Sequence, residues 1–378
     1  MRTTLSVIKA DVGGYVGHVA VHPDLIADAE RHLAAAHKAG LVADYRVLRV
    51  GDDLQLIMSH TRGSADEEIH RLAWETFQAG ANLARHMGLY GAGQDLLGDA
   101  FTGTVKGMGP GSAEVTFDER PSEPVLVFMA DKTSAGAWNL PLYRMFADPF
   151  NTAGLVISEA LEGGFRFEVL DVIDHRRVEL DTPEESYLLL ALIGTTRRYS
   201  VRTVRHRRTG EIVAASSTDR LSLIAGKYVG KDDPVCVVRC QGNFPAVGEV
   251  LEPFSLPHLV AGWMRGSHNG PLLPVSFAQA SPTRFDGPPR VIAAGFQVTG
   301  GHLLGPVDMF DDLAFDRARQ EGLRVADYLR RQGPFEPHRL GAEDMEYTTL
   351  PRVLSRLAPR FEAVVEAPGE RPAAGVAS

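Results

Sequence analysis

The sequence predicts a mixed α/β fold of the α+β type, with mainly antiparallel sheets. Three observations lead there: apolar alternation at the N-terminus, short turns joining β-rich flanks, and helical apolar repeats set between them. Leu5 and Val7 alternate with polar neighbours from Thr3 to Lys9, the period of a strand, which ends at Asp11. Leu25, Ile26, Ala29, Leu33 and Ala36 then keep helical spacing up to Gly40. Residues 42–50 and 54–60 flank the tight turn Gly51-Asp52-Asp53 and read as a hairpin. Ser64-Ala65-Asp66-Glu67 has the form of a capping box, opening a helix through Ile69, Leu72, Ala73 and Phe77. Residues 113–118 supply the next strand. Strand, helix, strand, strand, helix, strand is the ferredoxin-like order, whose first two strands run parallel and end at one edge. Asp11 and the Asp52-Asp53 turn therefore share a rim. A further turn, Pro121-Ser122-Glu123-Pro124, leads into residues 125–130 and brings Asp131-Lys132 to the same rim.

The second half repeats the style. Residues 165–172 and 177–180 read as strands, and Thr182-Pro183-Glu184-Glu185 as a capped helix start with Thr182 as the cap. Residues 198–207 and 211–217 flank a Thr209-Gly210 turn. Beyond Phe244, proline and glycine become dense, and stretches such as Gly287 to Pro289 read as loops over a scaffold. A last helix covers residues 314–331, with Asp311-Asp312 as a capping feature before it. Residues 1–364 read as one catalytic domain and residues 365–378, small and rich in Pro and Gly, as a disordered tail.

Composition narrows the function. With 44% hydrophobic and 23% charged residues over 378 positions, the chain is an ordinary globular one, with no run long enough to span a bilayer. A net charge of −9 without a basic block argues against nucleic acid. Cys236 and Cys240 cannot build a disulfide framework or a zinc site by themselves, and the N-terminus lacks a signal-like apolar stretch, so the cytoplasm is the expected compartment. Only six of the 39 basic residues are lysine: Lys9, Lys38, Lys106, Lys132, Lys227 and Lys231. In a chain that uses arginine wherever charge suffices, these are candidates for chemistry a guanidinium cannot perform.

Lys231-Asp232-Asp233-Pro234 is the strongest local signal, since adjacent carboxylates are the hard oxygen ligands that Mg²⁺ takes with water and phosphate oxygens. One Asp-Asp pair alone reads as a solvated turn. A second pair at Asp52-Asp53, with Asp11 and Asp131 on the same rim, shifts the reading to a metal. His18 stands as a ligand or a phosphate contact, or as an ordinary loop histidine. The glycines around residues 88–93 and 103–111 allow backbone N–H groups to approach an anion, but match neither a P-loop nor a dinucleotide fingerprint.

Eight segments in order carry a resemblance: Asp11-Val12-Gly13 with His18, Gly51-Asp52-Asp53, Ala92-Gly93-Gln94-Asp95, Met129-Ala130-Asp131-Lys132, Tyr228-Val229-Gly230-Lys231-Asp232-Asp233-Pro234, Gln241-Gly242-Asn243-Phe244-Pro245, Gly262-Trp263-Met264-Arg265-Gly266-Ser267-His268 and Arg284-Phe285-Asp286-Gly287-Pro288-Pro289. From Met1 to about Phe361 the chain resembles the bifunctional fructose-1,6-bisphosphate aldolase/phosphatases of archaea and deep-branching bacteria. The resemblance implies one site that condenses dihydroxyacetone phosphate with glyceraldehyde 3-phosphate and then hydrolyses the 1-phosphate of the product. It implies a Schiff base on Lys231, proton handling by Tyr228, and Mg²⁺ on Asp11, His18, Asp52, Asp53, Gln94, Asp131, Asp232 and Asp233. It also implies substrate contacts at His18, Tyr90, Gly103, Thr104, Lys132, Lys231, Gln241, Gly242, Arg265, Asp286 and Tyr347, a four-layer α-β-β-α sandwich and a homo-octamer. The chemistry agrees: Asp232 and Asp233 alone would favour the charged form of Lys231, and cations bound to them would cancel that field. Asp11 is the expected base for the hydrolytic water. The alternatives are a plain Mg²⁺-dependent sugar phosphatase, in which Lys231 only binds phosphate, and a non-catalytic metabolite-binding protein.

Overall fold

The computed structural model describes residues 1–96, 109–217, 222–224, 227–229, 234–264, 268–284, 287–332 and 349–364. Strand Arg2–Asp11 pairs antiparallel with Asp53–His60 on one side and Gly111–Asp118 on the other, and Asp44–Val50 closes the sheet beyond Asp53–His60. That is the ferredoxin-like order, and its register sets Asp11 directly opposite Asp53. Helices Pro23–Lys38 and Glu67–His86 cover the outer face. Leu25, Ala29, Leu33, Ile69, Ala73 and Phe77 meet Ile8, Ala10, Leu54, Leu56 and Met58 there. Each fully buried side chain of the size of Phe77 contributes about 1.5–3 kcal/mol.

A second, ten-stranded sheet is stacked on the first. Its centre is Glu123–Asp131, flanked by Val235–Arg239 and Arg290–Thr299. Leu5, Val7, Ile57 and Val115 from the first sheet pack on Val125, Val127, Met129, Val237 and Ile292 from the second. The far face carries Phe128, Phe165, Phe167 and Val204 against the helices Asn139–Ala147, Ser186–Ile193 and Leu350–Leu357. The layers are therefore α-β-β-α. No helix among the described residues is long and apolar enough to cross a membrane. Cys236 and Cys240 are buried, and burial pushes the Cys240 thiol up to about 12.

Four expectations need correction. The cap of the second helix is Asp66, whose carboxylate accepts from Glu68 N and Ile69 N, while Ser64 hydrogen-bonds Thr116. Thr182 caps nothing: its hydroxyl donates to Phe165 O, and the helix begins at Ser186. Beyond Phe244 the chain is not mainly loop, because Arg290–Thr299 and His302–Asp308 form a hairpin in the second sheet. The helix Asp316–Arg330, preceded by a short turn that Asp312 caps, is followed by another at Leu350–Leu357. The tail at residues 365–378 lies outside the described residues.

The first sheet holds a polar chain with a pH consequence. Arg62 N donates to His60 Nδ1, which assigns the proton of the neutral ring to Nε2, 2.8 Å from Ser6 Oγ; Ser6 in turn donates to Glu114. Burial holds His60 down to about 4, against the pull of Glu114. The unfolded chain binds this proton near pH 6.5 and the folded one does not, so stability contributed by the neutral ring is complete above pH 6.5 and is lost as pH falls toward 4. The expected loss is about 3 kcal/mol. Denaturant unfolding of the wild type and of His60→Gln at pH 7 and pH 4.5 checks this, with the variant showing the flatter profile.

Candidate active site

The turn between Asp44–Val50 and Asp53–His60 has two residues, Gly51 and Asp52, so the first sheet presents Asp11, Asp52 and Asp53 together at one edge. Gly51 takes φ +56°, and a Cβ there would lie 2.1 Å from Asp131 Oδ2. Glycine thus lets the Asp131 carboxylate, arriving from the second sheet, lie across the turn. Lys132, itself at φ +65°, reaches back to Asp52 Oδ1 at 2.7 Å and stands 3.2 Å from Asp131 Oδ1. His18 Nδ1 hydrogen-bonds Asp52 Oδ2 at 2.7 Å. One ligand atom from each of Asp11, His18 and Asp52 falls within 4.8 Å of the others.

The electrostatics divide these carboxylates. Burial, then Asp52, Asp95 and Asp53, push the Asp11 carboxyl well above the ordinary range, more than Lys132 pulls it down. Burial also opposes ionisation of Asp52, but Lys132 and His18 outweigh it and hold that carboxyl well below the ordinary range. Asp11, Asp52, Asp53, Asp95 and Asp131 are all at most 7% exposed. So dense an oxygen donor set with one imidazole fits a hard divalent cation, and does not resemble a thiolate-rich zinc or iron–sulfur site.

Tyr90 joins this rim, and the backbone of Gln94 lies beside it. Tyr90 exchanges both backbone hydrogen bonds with Gly14, and its ring stands edge-on to His18 at 4.6 Å between centroids. Gln94 opens a short 3₁₀ turn at Gln94–Leu96, tied down by Gly93 N to Val12 O; its side chain lies outside what is described. The backbone of Tyr228 belongs to a small hairpin, opposite Leu223, and its side chain is likewise not described. Gly103, Thr104, Lys231, Asp232, Asp233, Arg265, Asp286 and Tyr347 lie outside the described residues.

Gln241 and Gly242 are elsewhere. Val235–Arg239 pairs antiparallel with the central strand so that Arg239 faces Val125, six residues before Asp131, or roughly 20 Å along the strand. Both residues adopt positive φ, +68° and +67°. Arg120 donates to Gln241 O and to Cys240 O and is paired with Glu123, which also binds the fully buried Arg239. This turn is built rigidly, at the opposite end of the second sheet from the carboxylates.

Lys9, one of the six candidate lysines, and Asp95, which follows Gln94, have no role at the rim in the sequence reading, yet both belong to it. Lys9 is completely buried and ion-paired with Asp53, with Asp95 Oδ2 3.8 Å away. Asp95 Oδ2 accepts the Asp11 backbone N–H at 2.9 Å. The signal was present: Lys9 lies two residues from Val7 and from Asp11, hence on the face the first strand buries between the sheets.

Comparison with known proteins matches the geometry. A family model described as Fructose-1,6-bisphosphatase matches residues 2–362. The fructose-1,6-bisphosphate aldolase/phosphatase of Moorella thermoacetica is 62% identical over 373 residues, covering 99% of this chain and 98% of that protein. The proteins of the same name from Ignicoccus hospitalis and Methanothermobacter marburgensis are 62% and 57% identical, covering 97% and 96% of this chain and 95% and 99% of their own lengths. A match of this extent leaves no region of the described core unaccounted for, and the chain belongs to the fructose-1,6-bisphosphatase family.

Proposed function

We propose that the chain condenses dihydroxyacetone phosphate with glyceraldehyde 3-phosphate to fructose 1,6-bisphosphate and then hydrolyses the 1-phosphate, leaving fructose 6-phosphate, in one cavity. The observation that carries this reading is the Asp11, His18 and Asp52 cluster beside Lys132, in a chain alignable almost end to end with relatives named for both activities. Asp11, His18, Asp52, Asp53, Gln94, Asp131, Asp232 and Asp233 would hold Mg²⁺. When bound, it supplies charge neutralisation at the phosphoryl oxygens and acidifies a coordinated water.

The chain's own residues do the rest. Lys132, on the rim, is placed to exchange its carboxylate partners for a substrate phosphate. Asp11 receives the proton of the hydrolytic water. Lys231, as a neutral amine, attacks the ketone carbon of dihydroxyacetone phosphate; the imine forms as water leaves. Tyr228 takes a proton from the hydroxymethyl carbon of that adduct, leaving an enamine whose carbon bonds the aldehyde carbon of glyceraldehyde 3-phosphate, and gives a proton to the aldehyde oxygen as it becomes a hydroxyl; water then hydrolyses the imine and frees Lys231. Tyr90, Gly103, Thr104, Arg265, Asp286 and Tyr347 orient the two phosphates and the hydroxyls. Gln241 and Gly242, at the far end of the second sheet, reach substrate from a neighbouring copy, which accords with a homo-octamer of single catalytic units spanning 1–364 in the cytoplasm.

Borohydride added with dihydroxyacetone phosphate freezes an imine as a stable secondary amine. Peptide mass spectrometry is expected to find the adduct on Lys231. An adduct confined to Lys132 or Lys227 would move the imine to that lysine, and none at all would favour a plain phosphatase.

A further inference from the structure

Six lysines survive in this chain, and the proposed reaction uses only some of them. Among the lysines whose side chains are described, Lys9 is the one enclosed completely, with no exposed surface, between the two sheets. Its ammonium lies beneath the carboxylates, ion-paired with Asp53 and 3.8 Å from Asp95 Oδ2, while Asp95 accepts the Asp11 backbone N–H. Lys132 pairs with Asp52 and Asp131 from the opposite, partly exposed side. The two ammoniums thus differ in kind: the one at the rim can swing toward a ligand, and the one in the floor is walled in by Val7, Gln55 and Asp53 on adjoining register positions. A lysine costs several kcal/mol to bury as an ion unless its partners hold it there, so its presence beside Asp53 and Asp95 is explained by what it neutralises.

We propose that Lys9 is the fixed internal counter-charge of the metal centre, a positioning residue. It holds Asp53 directly, and Asp11 through Asp95, so that the rim stays assembled before any cation arrives. This rests on the reading that the rim binds divalent cations. It separates Lys9 from a merely structural ion pair in one respect: Lys9 and the cations neutralise the same carboxylates, so removing Lys9 harms the metal-free protein more than the metal-loaded one.

The test compares Lys9→Met, Lys9→Arg and the double variant Lys9→Met/Asp95→Asn with the wild type. Each full-length protein is melted in chelator and in saturating Mg²⁺. In Lys9→Met the rise in Tm on adding Mg²⁺ is expected to be at least about twice that of the wild type, because the cation restores charge balance. Asp95→Asn removes the excess negative charge, so the double variant is expected to recover much of the metal-free Tm, which also covers the case where Lys9→Met alone does not fold. Lys9→Arg, which keeps the charge, is expected to keep the wild-type response. Equal losses of Tm with and without Mg²⁺, or additive losses in the double variant, would overturn the role of Lys9. A wild type whose Tm and calorimetric titration show no response to Mg²⁺ would instead overturn the metal reading beneath it.

Discussion

Lys231→Arg is expected to reduce aldol condensation to background while leaving hydrolysis of fructose 1,6-bisphosphate within about tenfold, or about 1.4 kcal/mol, of the wild type. The two steps share a cavity but not a nucleophile. Arginine keeps the positive charge and can pair with a phosphate, yet its guanidinium does not deprotonate and cannot form an imine. Condensation depends on that imine. Hydrolysis depends on the carboxylate rim, whose Asp11, Asp52, Asp53 and Asp131 the substitution does not touch. Coupled assays for each half-reaction on the same preparation measure the split. Equal loss of both activities would make Lys231 a shared phosphate anchor.

Asp52→Asn is expected to remove both activities by roughly 10³-fold or more, about 4 kcal/mol in barrier, with little loss of fold. Asp52 is the hub of the rim, bonded to His18 and to Lys132 at 2.7 Å each. The amide keeps the shape but contributes no charge to a bound cation. Stability should respond differently. The change forfeits two charge-assisted contacts, but it also removes one of the carboxylates that push Asp11 upward. The metal-free Tm is therefore expected to move by only a few degrees, while the Mg²⁺-induced rise in Tm shrinks. A variant that keeps wild-type turnover in Mg²⁺ would remove Asp52 from the metal set.

The convergence of Asp11, Asp52, Asp53 and Asp131 was legible in the sequence for a simple physical reason. Period-two alternation and a two-residue turn fix strand direction, and direction fixes which strand ends share an edge. Lys9 carried a signal of the same kind, a cation alternating with Val7 and Asp11, that only burial made interpretable. Arg290–Thr299 was hidden because it is buried on both faces: Val291-Ile292-Ala293-Ala294 has no alternation to read, and the prolines before it suggest a loop. Both helices start beyond the residue that the local pattern offers as a cap. Ser64 and Thr182 have the right chemistry, but tertiary partners on Thr116 and Phe165 claim their hydroxyls. The place of Gln241 and Gly242 depended on the register of Val235–Arg239 against the central strand, which no local pattern encodes.

The central claim is that one protein makes the C–C bond and cleaves the phosphate ester. Its most direct test supplies purified protein with dihydroxyacetone phosphate, glyceraldehyde 3-phosphate and Mg²⁺, and no fructose 1,6-bisphosphate. Inorganic phosphate and fructose 6-phosphate are expected to appear in equal amounts, and both to vanish in excess chelator. Phosphate release from added fructose 1,6-bisphosphate, with none from the two triose phosphates, would contradict the account.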